Sequence, residues 1–422
     1  MKSPKDYRAP CLWRRPLAPL WLRPWYDGPA TWSVARLHLP LSRAWAETEA
    51  ERGSALERYR SAEAAWRHGF FAAASPGPED LARLEQSRRR AAAAWMGRRL
   101  RHLPAMAGAP AAAFAIEPPD AVEARHAERL EAPEAAFPLP DAVPRESHTL
   151  QQGAQESVWL CFPARDGSTA WARLERPAAA ARGAAVKGTV IALHGICIEA
   201  DFWPRSPDYS DRALAAGWQV LRLEAPWHGR RRRPGTYGGE PLIARGPAGF
   251  LEFFELAVPE LAVWTAWAKR QGPVAWSGVS LGALTAQKAA EVARHWPERS
   301  QPDGLLLITT AADVTQATPV GSLGRLLGLR ARLQAAGWTE PALARWVPLL
   351  NPMGGPVLPP ERIRLLLGSA DRLLPFAQGA ALARCWNLPA RRVTVRRQGH
   401  FSVSLGLLAE PAPLLDLLRE LA

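Results

Sequence analysis

From residue 155 onward, short apolar runs alternate with helix-like stretches. The segments "GTVIALHG", "WQVLRLEAP", "PVAWSGVS", "GLLLITTAA", "IRLLLGSAD" and "RVTVRRQGH" read as strands, since their apolar residues run together and end at Gly, Pro or polar positions. Between them, "YSDRALAAG", "FLEFFELAVPELAVWTAWAKRQ", "LTAQKAAEVARHW" and "FAQGAALARCW" carry helical spacing. This β–α alternation predicts a mostly parallel sheet with helices on both faces. Ahead of it, "SVWLCFPA" and "TAWARLERP" flank Asp166-Gly167-Ser168 and predict a hairpin. At about 315–360 the alternation is interrupted by "SLGRLLGLRARLQAAG" and "EPALARWVPLL", amphipathic helices bounded by Gly and Pro. An insertion at that place would lie over the carboxyl edge of the sheet as a cap.

The first 150 residues follow another pattern. Residues 1–42 are rich in Pro, Trp and Arg and show little periodicity, and helices are predicted at about 43–73 and 78–103. The second opens with "SPGPEDLARLEQ", whose acidic residues suit a helix start, and its later turns carry Arg as the macrodipole favours. Residues 104–150 are Ala- and Pro-rich and read as a linking or wrapping segment. The expected division is therefore an α-helical extension and linker over 1–150 and an α/β domain over 151–422.

Composition narrows the function classes. A chain of 422 residues with 48% apolar and 22% charged residues is globular. Nineteen Trp point to packing or interface roles, above all in the N-terminal part. The net charge of +13 allows nucleic acid or an anionic membrane as partner. No zinc-finger spacing, aromatic-basic sheet motif or heptad-coupled basic helix supports the first, so no nucleic acid is expected and peripheral membrane contact stays open. Cys11, Cys161, Cys197 and Cys385 stand too far apart for metal-ligand or redox-motif spacing. "PLAPLWL" is short and broken by Pro, unlike a signal sequence, and "AGFLEFFELAVPELAVWTAW" carries three Glu and a Pro, unlike a membrane span. A reducing, cytoplasmic setting is expected, and the oligomeric state is not legible.

In a sheet of this kind ligands meet the carboxyl ends of the strands. Ser280, Asp371 and His400 each follow a strand, in that chain order. Ser280 lies in Gly-x-Ser-x-Gly between Gly278 and Gly282, the pattern of a nucleophile on a tight strand-to-helix turn; the alternative is a structural Gly-rich turn. His400 would be the general base and Asp371 the acid that fixes its tautomer. Asp313, after the preceding strand, is the rival acid, and an N-cap or turn role is the alternative for either one. Leu281 N–H and Ile196 N–H, or that of Cys197, would receive the oxyanion. Around the substrate we expect His194 and Gly195, which also fix their turn, with Trp203, Trp227 and Arg230. The run Arg230 to Arg233 reads as a solvated loop, or as a binder of an acidic substrate group or phospholipid head group.

Residues 155–422 resemble the α/β-hydrolase fold superfamily, with Ser280, Asp371 and His400 at its triad positions. Within it, "EADFWPR", "LEAPWHGRRRRPGT" and "WSGVSLGA" are together similar to the α/β-hydrolase domain-containing protein 18 family and its bacterial relatives. The oxyanion strand departs from the common lipase pattern, with His-Gly-Ile-Cys in place of a Gly-rich run. The resemblance implies a serine hydrolase for carboxylic esters, lipid acyl esters among them, working without metal or organic cofactor. The alternatives are a silent scaffold that binds lipid, nucleic acid or protein, and a thioesterase or acyltransferase on the same residues.

Overall fold

The computed structural model describes residues 23–35, 53–97, 114–153, 155–177, 180, 183–198, 209–233, 236 and 238–422. The N-terminal part contributes α1 (Asp27–Ser33), α2 (Gly53–Phe70), α3 (Pro78–Gly97) and α4 (Pro119–Glu131). Ten strands follow: β1 (Arg145–Glu146), β2 (Leu150–Gln152), β3 (Gln155–Pro163), β4 (Thr169–Arg176), β5 (Thr189–Leu193), β6 (Gln219–Glu224), β7 (Val274–Val279), β8 (Gly304–Ile308), β9 (Ile363–Gly368) and β10 (Val393–Arg396). Interleaved with these strands are α5 (Asp211–Ala215), α6 (Glu240–Ala244), α7 (Pro247–Ala268) and α8 (Leu281–Val292). Between β8 and β9 lie α9 (Val314–Val320), α10 (Ser322–Leu326), α11 (Leu329–Ala335), α12 (Glu340–Ala344) and α13 (Val347–Leu350). The chain closes with α14 (Phe376–Cys385), α15 (His400–Gly406) and α16 (Ala412–Leu421).

The ten strands of the described residues join one sheet in the order β1-β3-β4-β6-β5-β7-β8-β9-β10, with β2 also on β3. From β6 to β10 the neighbours are parallel, whereas β1 to β4 and the β4–β6 pair are antiparallel. Every residue of β5 and β8 is buried, which is why these strands read as unbroken apolar runs. The chain goes from β5 to β6 on one side and returns to β7 on the other. A crevice opens at such a reversal of strand order, beyond the carboxyl ends. The architecture is the α/β-hydrolase fold: a mostly parallel sheet with helices on both faces.

Helix α7 is apolar around nearly its whole circumference and lies buried on one face of the sheet with α8. The opposite face is covered by α5, α15 and α16 through Ala213, Val403, Leu414, Leu417 and Leu418. Helices α2 and α3 cover the antiparallel end, where Trp66, Phe70 and Leu81 pack against Trp159 and Trp171 of β3 and β4. The segment 104–150, expected to be a linking or wrapping segment, contains α4 and β1 and ends where β2 begins; β1 and β2 extend the sheet ahead of the hairpin. Among the described residues no helix is long and apolar enough to cross a membrane.

Candidate active site

Strand β7 runs into α8 through Ser280, whose φ of 54° and ψ of −115° lie outside the usual regions for a side-chain-bearing residue. The turn is over-determined by its backbone: Ser280 N–H donates to Ile308 O at 2.9 Å, and Ser280 O accepts from Leu284 N–H at 2.9 Å. The flanking glycines serve close approach. A Cβ on Gly278 would collide with the backbone of Gly282, and one on Gly282 with the backbone of Leu193. Strand, turn and helix are therefore pressed together, with Ser280 at the turn lining the adjoining pocket.

His400 is the first residue of α15, just beyond β10, and Asp371 sits in the loop after β9. His400 Nε2 is 2.9 Å from Ser280 Oγ, and His400 Nδ1 is 2.8 Å from Asp371 Oδ2. The Nδ1–H donates to the carboxylate, leaving the Nε2 lone pair to accept the serine hydroxyl proton. Asp371 Oδ1 accepts from the amides of Leu373 at 2.9 Å and Leu374 at 3.0 Å, so both carboxylate oxygens are engaged. Ser280, Asp371 and His400 are 8%, 6% and 4% exposed, so little solvent competes for these bonds. Asp313 does something else. It is the N-cap of α9, and its Oδ1 accepts from Thr315 N–H, Gln316 N–H and Asn351 Nδ2 at 2.8, 3.2 and 2.7 Å.

The loop after β5 lies against this group. A Cβ on Gly195 would be 3.5 Å from Ser280 Cβ. His194 ties the loop down: its Nδ1 donates to Gly195 O at 2.8 Å, and its Nε2 accepts from Ala225 N–H at 3.2 Å. The His228 ring meets His194 edge-on at 4.9 Å and donates from Nδ1 to Pro226 O at 2.9 Å. Complete burial, with His194 nearby, holds the His228 pKa well below its ordinary value. His194 thus serves the loop rather than offering both ring nitrogens to a ligand. Cys197 follows with φ of 67° and is buried.

Of the expected substrate contacts, one is not described and two come out differently. Trp203 lies outside the described residues. Trp227 is buried in the main core, its ring 6.1 Å from Phe253 and covered by Arg233 at 4.8 Å, so it contacts core and not substrate space. Arg230 is also internal. Its guanidinium pairs with Glu63 at 2.9 Å and with Glu224, and lies 4.8 Å above Trp66 and 5.2 Å above Trp171. Its neighbours are likewise engaged: Arg231 makes two 2.7 Å bonds to Glu260, and Arg232 sits 4.1 Å over Trp95. Arg230 and Arg232 thus hold α2 and α3 against the sheet and Arg231 is held by α7, so the solvated-loop reading does not describe these three, whereas Arg233 is exposed.

Beside Ser280 opens an apolar pocket lined by Ile196, Phe250, Leu281, Leu284, Thr318 and Leu329 among others. A second pocket shares Phe250, Thr318 and Leu329 with it and continues to Leu343 and Leu350. The helices of the 315–360 insertion supply much of both walls. Phe250, Thr318 and Leu329 were not singled out from the sequence; the amphipathic character of the insertion was the available signal. Asp27 was missed as well. Its carboxylate accepts from Phe401 N–H and Ser402 Oγ, next to His400.

No family model matches the chain, and no curated protein matches it in sequence. Among solved structures it is similar to an acetyl xylan esterase from Paenibacillus sp. R4, at 14% identity and TM-score 0.47, over 70% of this chain and 93% of that one. It is also similar to acetyl xylan esterase 1 from Thermoanaerobacterium sp. JW/SL YS485, at 15% identity and TM-score 0.44, over 71% and 95% of the two chains. Oligopeptidase B from Trypanosoma brucei resembles it at 14% identity and TM-score 0.43, over 64% of this chain and 38% of the other.

Proposed function

We propose that the protein is a serine hydrolase that cleaves carboxylic esters with apolar acyl groups, lipid acyl esters among them, through an acyl-enzyme. Ser280 Oγ attacks the carbonyl carbon while His400 Nε2 takes its proton, and Asp371 stabilises the resulting imidazolium. The negative charge on the carbonyl oxygen is received by the N–H groups of Leu281 and Ile196. Leu281 is the first residue of α8, so its N–H is one of those that a helix start leaves without an intrahelical partner. His400 then gives the proton to the leaving alcohol, and water, deprotonated by the same imidazole, releases the acid.

The observation that carries this reading is the Ser280–His400–Asp371 hydrogen-bonded chain, with its 2.9 and 2.8 Å links, at the wall of an apolar cavity. Apolar lining favours an acyl chain there, since each buried methylene contributes about 0.8 kcal/mol. The closer kinship with α/β-hydrolase domain-containing protein 18 and its bacterial relatives belongs to the same proposal, on its three motifs alone. A fluorophosphonate probe tests the reading: wild type should become labelled and Ser280→Ala should not. A wild-type chain that never reacts would favour the silent scaffold. Transfer of the acyl group to added alcohol or amine in preference to water would favour an acyltransferase.

A further inference from the structure

The helix that carries His400 has no side-chain acceptor at its N-cap position. Its N-cap residue is Gly399, which has no side chain to accept from the free N–H groups of the first turn. The missing acceptor comes from the other end of the chain. Asp27 Oδ1 accepts from Phe401 N–H at 2.6 Å, and Oδ2 accepts from Ser402 Oγ–H at 2.7 Å. Ser402 Oγ in turn accepts from Gly399 N–H at 2.8 Å, which closes the ring of bonds.

Gly399 records the same arrangement. Its φ of −97° is open to any residue, so conformation does not demand glycine there. Space does: the three atoms nearest to a Cβ built on Gly399 all belong to the Asp27 carboxylate. The carboxylate occupies the room a local cap would need.

Asp27 opens α1, and the far end of that segment is anchored elsewhere. Val34 and Ala35 pack with Cys197, Ile243, Leu323 and Leu327, that is, with the loop after β5, with α6 and with the cap. One short N-terminal helix thus joins the cap to the start of the His400 helix. Burial raises the Asp27 pKa, and the bonds from Ser402 and Phe401 oppose that rise, as does nearby His400; Asp371 reinforces it.

We propose that Asp27 is a positioning residue of the active site: by capping α15 from outside, it holds the His400 imidazole in line between Asp371 and Ser280. The inference rests on reading His400 as the base. A ring that must meet two partners at 2.8 and 2.9 Å tolerates little drift in the helix start.

The test uses the full chain, a fluorophosphonate probe and amide hydrogen exchange. In Asp27→Ala the maximal rate of Ser280 labelling should fall at least about tenfold with little change in probe affinity. Exchange should quicken in residues 398–404 and stay unchanged in α8. Gly399→Ser alone should also slow labelling, since its side chain overlaps Asp27. The double variant Asp27→Ala/Gly399→Ser should recover most of the rate, because serine caps locally in the vacated space. A folded Asp27→Ala chain that labels at the wild-type rate, or a double variant no better than the single, would overturn the proposal. Should wild type take no label at all, the hydrolase reading falls instead. Exchange at 398–404 then still decides whether Asp27 holds the helix: quickening upholds the clamp, and no change overturns it.

Discussion

Asp371 meets His400 through one carboxylate oxygen, at 2.8 Å, and gives the other to the amides of Leu373 and Leu374. Held on both sides, the carboxylate cannot turn away from the ring. In Asp371→Asn an amide NH₂ faces Nδ1 and drives the proton to Nε2, which removes the acceptor for Ser280. Turnover should fall by about 10⁴ with the fold retained. Asp313→Asn keeps a good cap and should leave turnover near wild type. Ester kinetics with thermal unfolding on both variants check this, and equal losses would remove Asp371 from its role.

Phe250, Thr318 and Leu329 stand where the two cavities meet. Along a series of straight-chain p-nitrophenyl esters, kcat/KM should rise by up to about fourfold per methylene, the equivalent of 0.8 kcal/mol, until the first cavity is full. Phe250→Ala should move the optimum to longer chains. An unshifted optimum would place the acyl group elsewhere.

Arg230 separates a structural outcome from a substrate-binding one. Arg230→Ala takes from Glu63 and Glu224 the guanidinium they share, leaving Glu63 with Arg88 at 3.6 Å, and should cost about 3–5 kcal/mol in urea unfolding. KM for uncharged esters and turnover per folded molecule should not change. A raised KM at unchanged stability would return this residue to the substrate.

His228 makes the stability of the fold depend on pH. Its folded pKa is depressed by burial, so the unfolded chain binds the proton more readily. Its contribution is present above the unfolded histidine value and is lost as pH falls from there toward the depressed one. The slope is at most about 1.4 kcal/mol per pH unit for one group. Unfolding midpoints for wild type and His228→Asn between pH 7 and 5 should converge as pH falls. Parallel curves would contradict it.

The sheet is legible because strands buried on both faces leave an unbroken apolar trace, and Ser280, Asp371 and His400 because each follows such a trace. What could not be read are contacts whose halves lie far apart in the chain. Asp27 and Phe401 are separated by 374 residues, and neither carries a local motif. The arginine run looked like a surface loop because its partners, Glu63, Glu260 and the Trp rings, come from other elements. Helix α4 was missed for a local reason: it begins at Pro119 within an Ala- and Pro-rich stretch, and of its thirteen residues only Val122 and His126 are buried.

The wall of the cavity is also the interior of the molecule. Phe250, Leu281, Leu284, Leu329 and Leu374 line the space beside Ser280 and belong to the main hydrophobic core. Reshaping that space costs about 24 cal/mol for each Å³ left unfilled in the core. Under the proposed function, a descendant of this chain could not drift to a different acyl group through neutral surface change. It would have to acquire stability first, and the order in which substitutions accumulate would be constrained by folding as much as by chemistry.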